Sequence, residues 1–113
     1  MSTSIQRGQV YWVTLDPVRG SEISKTRPCV ILSANEINRR RNTVVIVPLT
    51  STPEPVHFPL VINVPSAGIG SKARSEQIRN VDKSRLARLV GQISDSDLKD
   101  ISHGVAKVLG ITR

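Results

Sequence analysis

The sequence predicts a small α+β protein, in which a mostly antiparallel barrel or curled sheet is followed by one C-terminal helix. Three observations support this fold class. Short segments rich in β-branched and aromatic residues are separated by Pro and Gly turns, as is typical of antiparallel sheets. The clearest strand signal is Thr43–Leu49, which is β-branched almost throughout. Helical periodicity is clear only after these segments, near the C-terminus.

The segments that precede Thr43 are predicted to contain two strands. Gln9–Asp16 is rich in Val, Tyr, Trp and Thr, which favour a strand. A charged loop, Val18–Thr26, leads towards Cys29–Ser33, and the continuous apolar character of that segment is typical of a strand covered on both faces. The polar segment Asn35–Asn42 is compatible with one helical turn or with a loop.

The segments after the strongest strand are less regular. Phe58–Val64 is predicted to be an edge strand, because Pro59 has no N–H to donate to a neighbouring strand. Ser66–Gly70 is predicted to be a turn, and Lys72–Asn80 to be a further strand of mixed polarity. Ser84–Gln92 is compatible with either a strand or a helix.

The C-terminal helix has both of its ends marked in the sequence. Ser94 is a good N-cap, and the acidic residues after it suit the first turn of a helix. Gly110 stands where a left-handed C-cap is expected, and Gly104 within the helix predicts close packing at that point. The apolar residues that recur at helical spacing are Leu98, Ile101, Val105, Val108 and Leu109.

The size and apolar content predict a single domain over residues 1–113 with a modest core. The hydrophobic fraction is 38%, which is low for a self-sufficient domain of 113 residues. A second subunit would remove further apolar surface from water and add stability.

The charge of the chain points to a polyanionic partner. Sixteen Lys and Arg residues against nine Asp and Glu residues give a net charge of +7, and 11 of the 16 are Arg. The planar guanidinium fork matches phosphate oxygens, so nucleic acid is the first expectation. Charge alone leaves open the alternative that it serves only solubility.

Several protein classes are excluded or disfavoured. The single cysteine, Cys29, can form neither an internal disulfide nor a cysteine zinc cluster, and its apolar neighbours predict a buried structural thiol. The first residues lack the apolar stretch of a signal peptide, and no segment approaches the roughly 20 apolar residues of a membrane span. We therefore expect a cytoplasmic protein.

Polar side chains at or within the predicted strands are the first candidates for chemistry, because such elements hold side chains rigidly. Taken singly, each of these residues also fits an ordinary turn or a solvated strand end. Arg39–Arg41 form a compact positive run, for which a solvated loop and a set of phosphate contacts both remain open. The candidates are Arg27, Thr50, Ser51, Gln77 and Arg79.

Four segments, in this order and spacing, resemble the MazF/PemK family of toxin ribonucleases. The likeness extends over nearly the whole chain and includes an Arg-Pro pair at the second strand and a Thr at the end of the third. The four segments are Arg7–Glu22 (RGQVYWVTLDPVRGSE), Thr26–Ser33 (TRPCVILS), Val44–Ser51 (VVIVPLTS) and Glu76–Leu86 (EQIRNVDKSRL).

The resemblance implies a small SH3-like, mostly antiparallel β-barrel with a C-terminal helix. It implies that Arg27 and Thr50 are catalytic, that Glu22 contributes to activity, and that RNA is contacted by Ser51, Gln77 and Arg79. The implied reaction is sequence-specific cleavage of single-stranded messenger RNA by attack of a 2′-hydroxyl, without metal or cofactor. The implied partners are a second copy of the chain and a cognate acidic antitoxin.

Two other functions remain as alternatives. The first is a gyrase-poisoning toxin of the CcdB type, which shares the fold, although Arg27-Pro28 and Thr50 together favour the nuclease. The second is a non-catalytic RNA-binding barrel. With only three aromatic residues, the chain lacks a broad stacking surface, so base recognition is expected to depend on polar side chains and loops.

Overall fold

The computed structural model describes residues 4–15 and 26–111, and within these residues the chain forms seven strands, two α-helices and three short 3-10 helices. The strands are β1 (Gln9–Thr14), β2 (Thr26–Ile31), β3 (Thr43–Thr50), β4 (Val61–Asn63), β5 (Lys72–Arg74), β6 (Arg79–Asp82) and β7 (Leu86–Gln92). The α-helices are α1 (Asn35–Arg40) and α2 (Asp95–Val108), and the 3-10 helices are Pro65–Ala67, Ser75–Gln77 and Lys83–Arg85.

The strands form one antiparallel sheet in the order β4-β5-β3-β2-β1-β7, and β6 pairs with the remaining part of β3. The α+β architecture with a C-terminal helix is therefore confirmed. The sequence left open whether the sheet is a closed barrel or a curled sheet. The described strands pair as an open sheet, with β4 and β7 at its ends.

The structure moves the start of one strand and decides two ambiguous segments. β2 begins at Thr26 rather than Cys29, because the ladder with β1 continues as far as the pair of Thr14 and Thr26. Asn35–Asn42 contains a helix, α1, and Ser84–Gln92 contains a strand, β7, because its backbone pairs with β1.

The predicted strand Lys72–Asn80 is wrong as a single element. The 3-10 helix Ser75–Gln77 divides it into β5 and β6, which pair with opposite halves of β3. Ala73 lies opposite Leu49, so an unbroken register would place Glu76 opposite Ile46, whereas Arg79 lies there, three residues later. α2 packs against this 3-10 helix, and tertiary packing therefore accounts for the break.

The predicted edge strand Phe58–Val64 is also shorter than expected. Its regular part is β4, at the edge of the sheet as predicted. Phe58 and Leu60 instead belong to a turn, in which the N–H groups of Leu60 and Val61 both donate to the carbonyl of His57, at 2.7 and 2.8 Å.

The core has two parts, because alternate residues of the central strands point to opposite faces of the sheet. On β2, for example, Val30 packs into the cluster that contains Ile101 and Val105 of α2. Cys29 and Ile31 pack into the second cluster, and all three β2 residues are fully buried. The predicted two-sided burial of this strand is confirmed.

α2 begins and ends as the sequence predicts. The Ser94 hydroxyl accepts a hydrogen bond from the N–H of Asp97 at 3.1 Å, and Gly110 has a φ of 75°, the left-handed value of a C-cap. Leu109, predicted to lie on the apolar face, is 56% exposed, because it lies at the C-cap just beyond the packed turns. No helix within residues 4–15 and 26–111 is long and apolar enough to span a membrane.

Gly104 allows α2 to approach the sheet closely. A Cβ atom built at this position would overlap the Ile62 side chain and would lie 3.1 Å from the carbonyl oxygen of Pro59 and from the Ser75 hydroxyl. The predicted close packing at Gly104 is confirmed.

We expect Gly104→Ala to destabilise the protein by up to about 2 kcal/mol, because overpacking costs about 1–3 kcal/mol and the gain in helix propensity offsets about 1 kcal/mol of it. Urea denaturation measures the difference. Gly91→Ala is the control, since a Cβ there meets nothing within 4 Å. A Gly104→Ala variant more stable than wild type would contradict this account.

Candidate functional site

A cleft of about 310 Å³ lies where β2 and β3 end beside each other. It contains three of the residues that the sequence nominated, Arg27, Thr50 and Ser51. The lining residues are Trp12, Thr26, Arg27, Pro28, Leu49, Thr50, Ser51 and Ser71.

The register of the central strands brings Arg27 and Thr50 together. Cys29 lies opposite Pro48 in the antiparallel pair of β2 and β3. Arg27 lies two residues before Cys29 and Thr50 two residues after Pro48, so alternation along the strands assigns both to the face that Cys29 and Pro48 share. The two residues are distant in the chain but share one cleft because of strand pairing.

The Thr50 hydroxyl is held in place by the turn that follows β3. It accepts a hydrogen bond from the N–H of Thr52 at 3.1 Å and donates to the Thr52 hydroxyl at 2.9 Å. Thr50 is 8% exposed, whereas the neighbouring Ser51 is exposed. The cleft therefore combines an oriented hydroxyl, whose proton is directed to Thr52, with the half-buried Arg27, whose guanidinium supplies N–H donors suited to a phosphodiester.

An ion pair tethers the segment after β3 to the sheet. Arg74 of β5 contacts Glu54 at 3.4 Å and Glu76 at 2.9 Å, and the exposed fraction is 24% for the Arg74 side chain and 30% for each glutamate side chain. The hydrogen bond to Glu76 raises the pKa of Arg74 above its ordinary value, and both carboxylates favour its charged form. The tether restrains the chain two residues beyond Thr52, close to the cleft.

Gln77 and Arg79 lie outside the cleft, in a smaller cavity of about 180 Å³ that they form with Glu76 and Ile78. Arg79 lies opposite Ile46 on β3, and Ile46, Pro48 and Thr50 alternate along the same face. The two predicted RNA-contacting residues thus adjoin the cleft along the sheet without lining it.

Cys29 is fully buried beneath this region, as the sequence predicts. Burial raises the pKa of its thiol to about 12, although the nearby charge of Arg79 acts in the opposite direction. The thiol is therefore protonated near neutral pH and is not a nucleophile for this site. In the part of the chain that the structure describes, no three His, Cys, Asp or Glu side chains form a group able to hold a metal ion.

Two sequence predictions remain apart from the cleft. Glu22 and most of the loop Val18–Thr26 lie outside the described residues. Arg39–Arg41 lie at the end of α1, exposed to solvent, and none of them lines the cleft.

The residue that sequence reasoning missed is Trp12, which was assigned only to a strand. In the structure it is half-buried, lies opposite Pro28 on β2 and lines the same cleft as Arg27. The only signal for Trp12 in the sequence was the alternation of side chains between the two faces of the strand Gln9–Asp16. This alternation does not indicate which strand lies next to β1.

Comparison with known proteins gives the same picture over nearly the whole chain. Residues 6–109 match the family described as PemK-like, MazF-like toxin of type II toxin-antitoxin system. Endoribonuclease MazF9 of Mycobacterium tuberculosis is 32% identical over 109 residues, covering 89% of this chain and 92% of that protein.

Two solved structures extend the likeness to the fold. One, an endoribonuclease from a mycobacterial species, has a TM-score of 0.80 and 26% identity, covering 98% of this chain and 96% of that one. The other, a mycobacterial endoribonuclease in complex with its cognate antitoxin, has a TM-score of 0.77 and 25% identity, covering 99% of each chain. The chain therefore belongs to the PemK-like, MazF-like family of toxins of type II toxin-antitoxin systems.

Proposed function

We propose that this protein is an endoribonuclease toxin that cleaves single-stranded messenger RNA at specific sequences. The observation that carries the proposal is the shared cleft of Arg27 and Thr50 at the ends of β2 and β3. The names of its relatives support the same activity, since both the M. tuberculosis protein and the mycobacterial structures are called endoribonucleases. These names also favour the nuclease over a gyrase poison or a non-catalytic RNA-binding barrel.

The proposed reaction is a transesterification within the RNA. The 2′-oxygen forms a bond to the adjacent phosphorus while the bond from phosphorus to the 5′-oxygen breaks. The 2′-hydroxyl loses its proton and the leaving 5′-oxygen gains one, which produces a 2′,3′-cyclic phosphate and a 5′-hydroxyl. The nucleophile is already tethered to the phosphate, so the reaction requires no water, metal or cofactor.

Arg27 is proposed to stabilise the charge that develops on the phosphate oxygens. Its guanidinium presents several N–H donors, and Thr50 adds a hydroxyl that the turn after β3 orients. A guanidinium with a pKa above about 12 is a poor base near neutral pH, so Arg27 acts first through its charge. Glu22 is the proposed general base. It precedes Thr26 by four residues in the chain, and Thr26 lines the cleft.

The proposed partners of the protein are RNA, an antitoxin and a second copy of the chain. Ser51, Gln77 and Arg79 are assigned to RNA contact, supported by their positions in or beside the cleft. The structure of a relative with its cognate antitoxin supports an acidic antitoxin partner for this basic chain, whose net charge is +7. We propose that the protein acts in the cytoplasm and that it is a homodimer. The low apolar fraction of 38% favours the dimer, because a second subunit would bury further apolar surface.

Arg27→Ala is expected to lower the rate of RNA cleavage by about 10²–10³-fold or more while the fold is retained, because it removes the donors that stabilise the phosphate. Cleavage of a long single-stranded RNA is measured by gel, with circular dichroism as the test of folding. Lys107→Ala is the control, since that exposed cation of α2 does not line the cleft. Normal cleavage by the Arg27 variant would refute its role.

Thr50→Val is expected to reduce the cleavage rate by about 10²-fold, since valine preserves the shape of threonine without its hydroxyl. Thr50→Ser retains the hydroxyl and is expected to stay much closer to wild type. Single-turnover rates with saturating enzyme distinguish the two variants. Equal losses in both would show that the hydroxyl is not the relevant group.

Cleavage is expected to continue unchanged in EDTA and to leave ends that carry a cyclic phosphate and a 5′-hydroxyl. Mapping the 5′-hydroxyl ends from a mixed RNA pool identifies both the chemistry and the preferred sequence. RNA that stays intact would favour a binding protein, and activity lost in EDTA but restored by a divalent cation would overturn the metal-independent mechanism.

A further inference from the structure

A second cavity of about 360 Å³ adjoins the cleft. The two cavities share four lining residues, Trp12, Pro28, Leu49 and Ser71, so they form one continuous groove. We call the second cavity the side groove. Its other lining residues are Val10, Ser66, Ala67, Val90, Gly91 and Gln92.

The side groove combines an apolar floor with a few polar groups. Valine, proline and leucine side chains lie beside the indole of Trp12, whereas Ser71 and the exposed Gln92 bring hydroxyl and amide groups. Its volume lies within the range of about 300–1,000 Å³ that is usual for small-molecule sites. An apolar floor with few hydrogen-bonding groups suits a flat heteroaromatic ring.

Trp12 stands between an apolar neighbour and a cationic one. Its direct partner on β2 is Pro28, and its direct partner on β7 is Arg88, so all three residues share one face of the sheet, whereas Arg27 and Thr50 belong to the other face. Trp12 and Arg27 nevertheless line the same cleft, where the strands end. Arg88 is exposed. A phosphate next to a base stacked on the indole would therefore have a guanidinium within reach.

We propose that Trp12 stacks on one unpaired nucleobase next to the scissile phosphate, and that the side groove holds this base. The inference rests on the proposed ribonuclease function and makes Trp12 a specificity-determining residue of that reaction. Arg88 binds the flanking phosphate, and Gln92 and Ser71 offer hydrogen bonds to the base edge.

Two other occupants compete for the side groove. β7 is an edge strand with exposed Leu89 and Val90, so the competing occupants are a second copy of the chain and a peptide segment of the antitoxin. Single-stranded RNA is favoured over both because the groove is continuous with the Arg27 cleft. The Arg88 cation next to Trp12 also disfavours a second copy of this basic chain, whose net charge is +7.

The chain contains a single tryptophan, so intrinsic fluorescence reports on Trp12 directly. The probe is a short single-stranded RNA with 2′-O-methyl groups, which carries the sequence found by end mapping and cannot be cleaved. We expect this probe to quench the fluorescence in a saturable manner, and the corresponding duplex RNA to leave it unchanged.

Variants test the same contact without fluorescence. Trp12→Ala is expected to raise the KM for RNA cleavage by about 5- to 150-fold with a smaller change in kcat, the range for loss of one stacked base. Trp12→Phe keeps an aromatic face and is expected to recover most of the loss. Phe58→Ala is the matched control, because Phe58 is exposed and lines neither cavity. Thermal melts verify that each variant is folded.

The outcomes separate this inference from the proposed function. If wild type cleaves RNA, the inference is overturned when the probe leaves the fluorescence unchanged or when Trp12→Ala cleaves with wild-type KM. It is also overturned if the fluorescence responds to protein concentration, or to an antitoxin peptide, but not to the probe. If no RNA is cleaved, the probe is a single-stranded 2′-O-methyl RNA of mixed sequence, and quenching by it would refute the nuclease and leave Trp12 as an RNA contact.

Discussion

The antiparallel pairing of β2 with β3 is the constraint on which the candidate site depends. These two strands lie at the centre of the sheet, and their register places Cys29 opposite Pro48. Two residues further on, the same register brings Arg27 and Thr50 to one cleft. Cys29, Val30 and Ile31 are fully buried, so a slip in register would expose the core as well as separate the two polar groups.

The polar end of this strand pair is stabilised from several directions. The turn after β3 orients the Thr50 hydroxyl through Thr52, and Arg74 ties the following segment to β5 through Glu54. On the other face, α2 approaches closely because Gly104 has no side chain. Groups positioned by a packed scaffold need little reorganisation when a charge develops on the substrate, and this property favours catalysis.

The position of Trp12 changes how the small number of aromatic residues is interpreted. Three aromatic residues are too few for a broad stacking surface, and the sequence therefore pointed to recognition by polar side chains and loops. One aromatic residue in the lining of the cleft is nevertheless enough to stack on one base, as we propose for Trp12. The inferred interface is a small apolar groove with a charged border rather than an extended platform.

Much of the fold was accessible from the sequence, because β-branched runs, turn residues and the helix caps of α2 act locally. The nuclease candidates Arg27 and Thr50 were also identified from the sequence, through their positions at strand ends and through the family resemblance. Tertiary packing alone decided the break of Lys72–Asn80 at Ser75–Gln77, the assignment of Ser84–Gln92 to a strand, and the neighbours of Trp12. These features depend on contacts between residues far apart in the chain, which local propensity and periodicity do not encode.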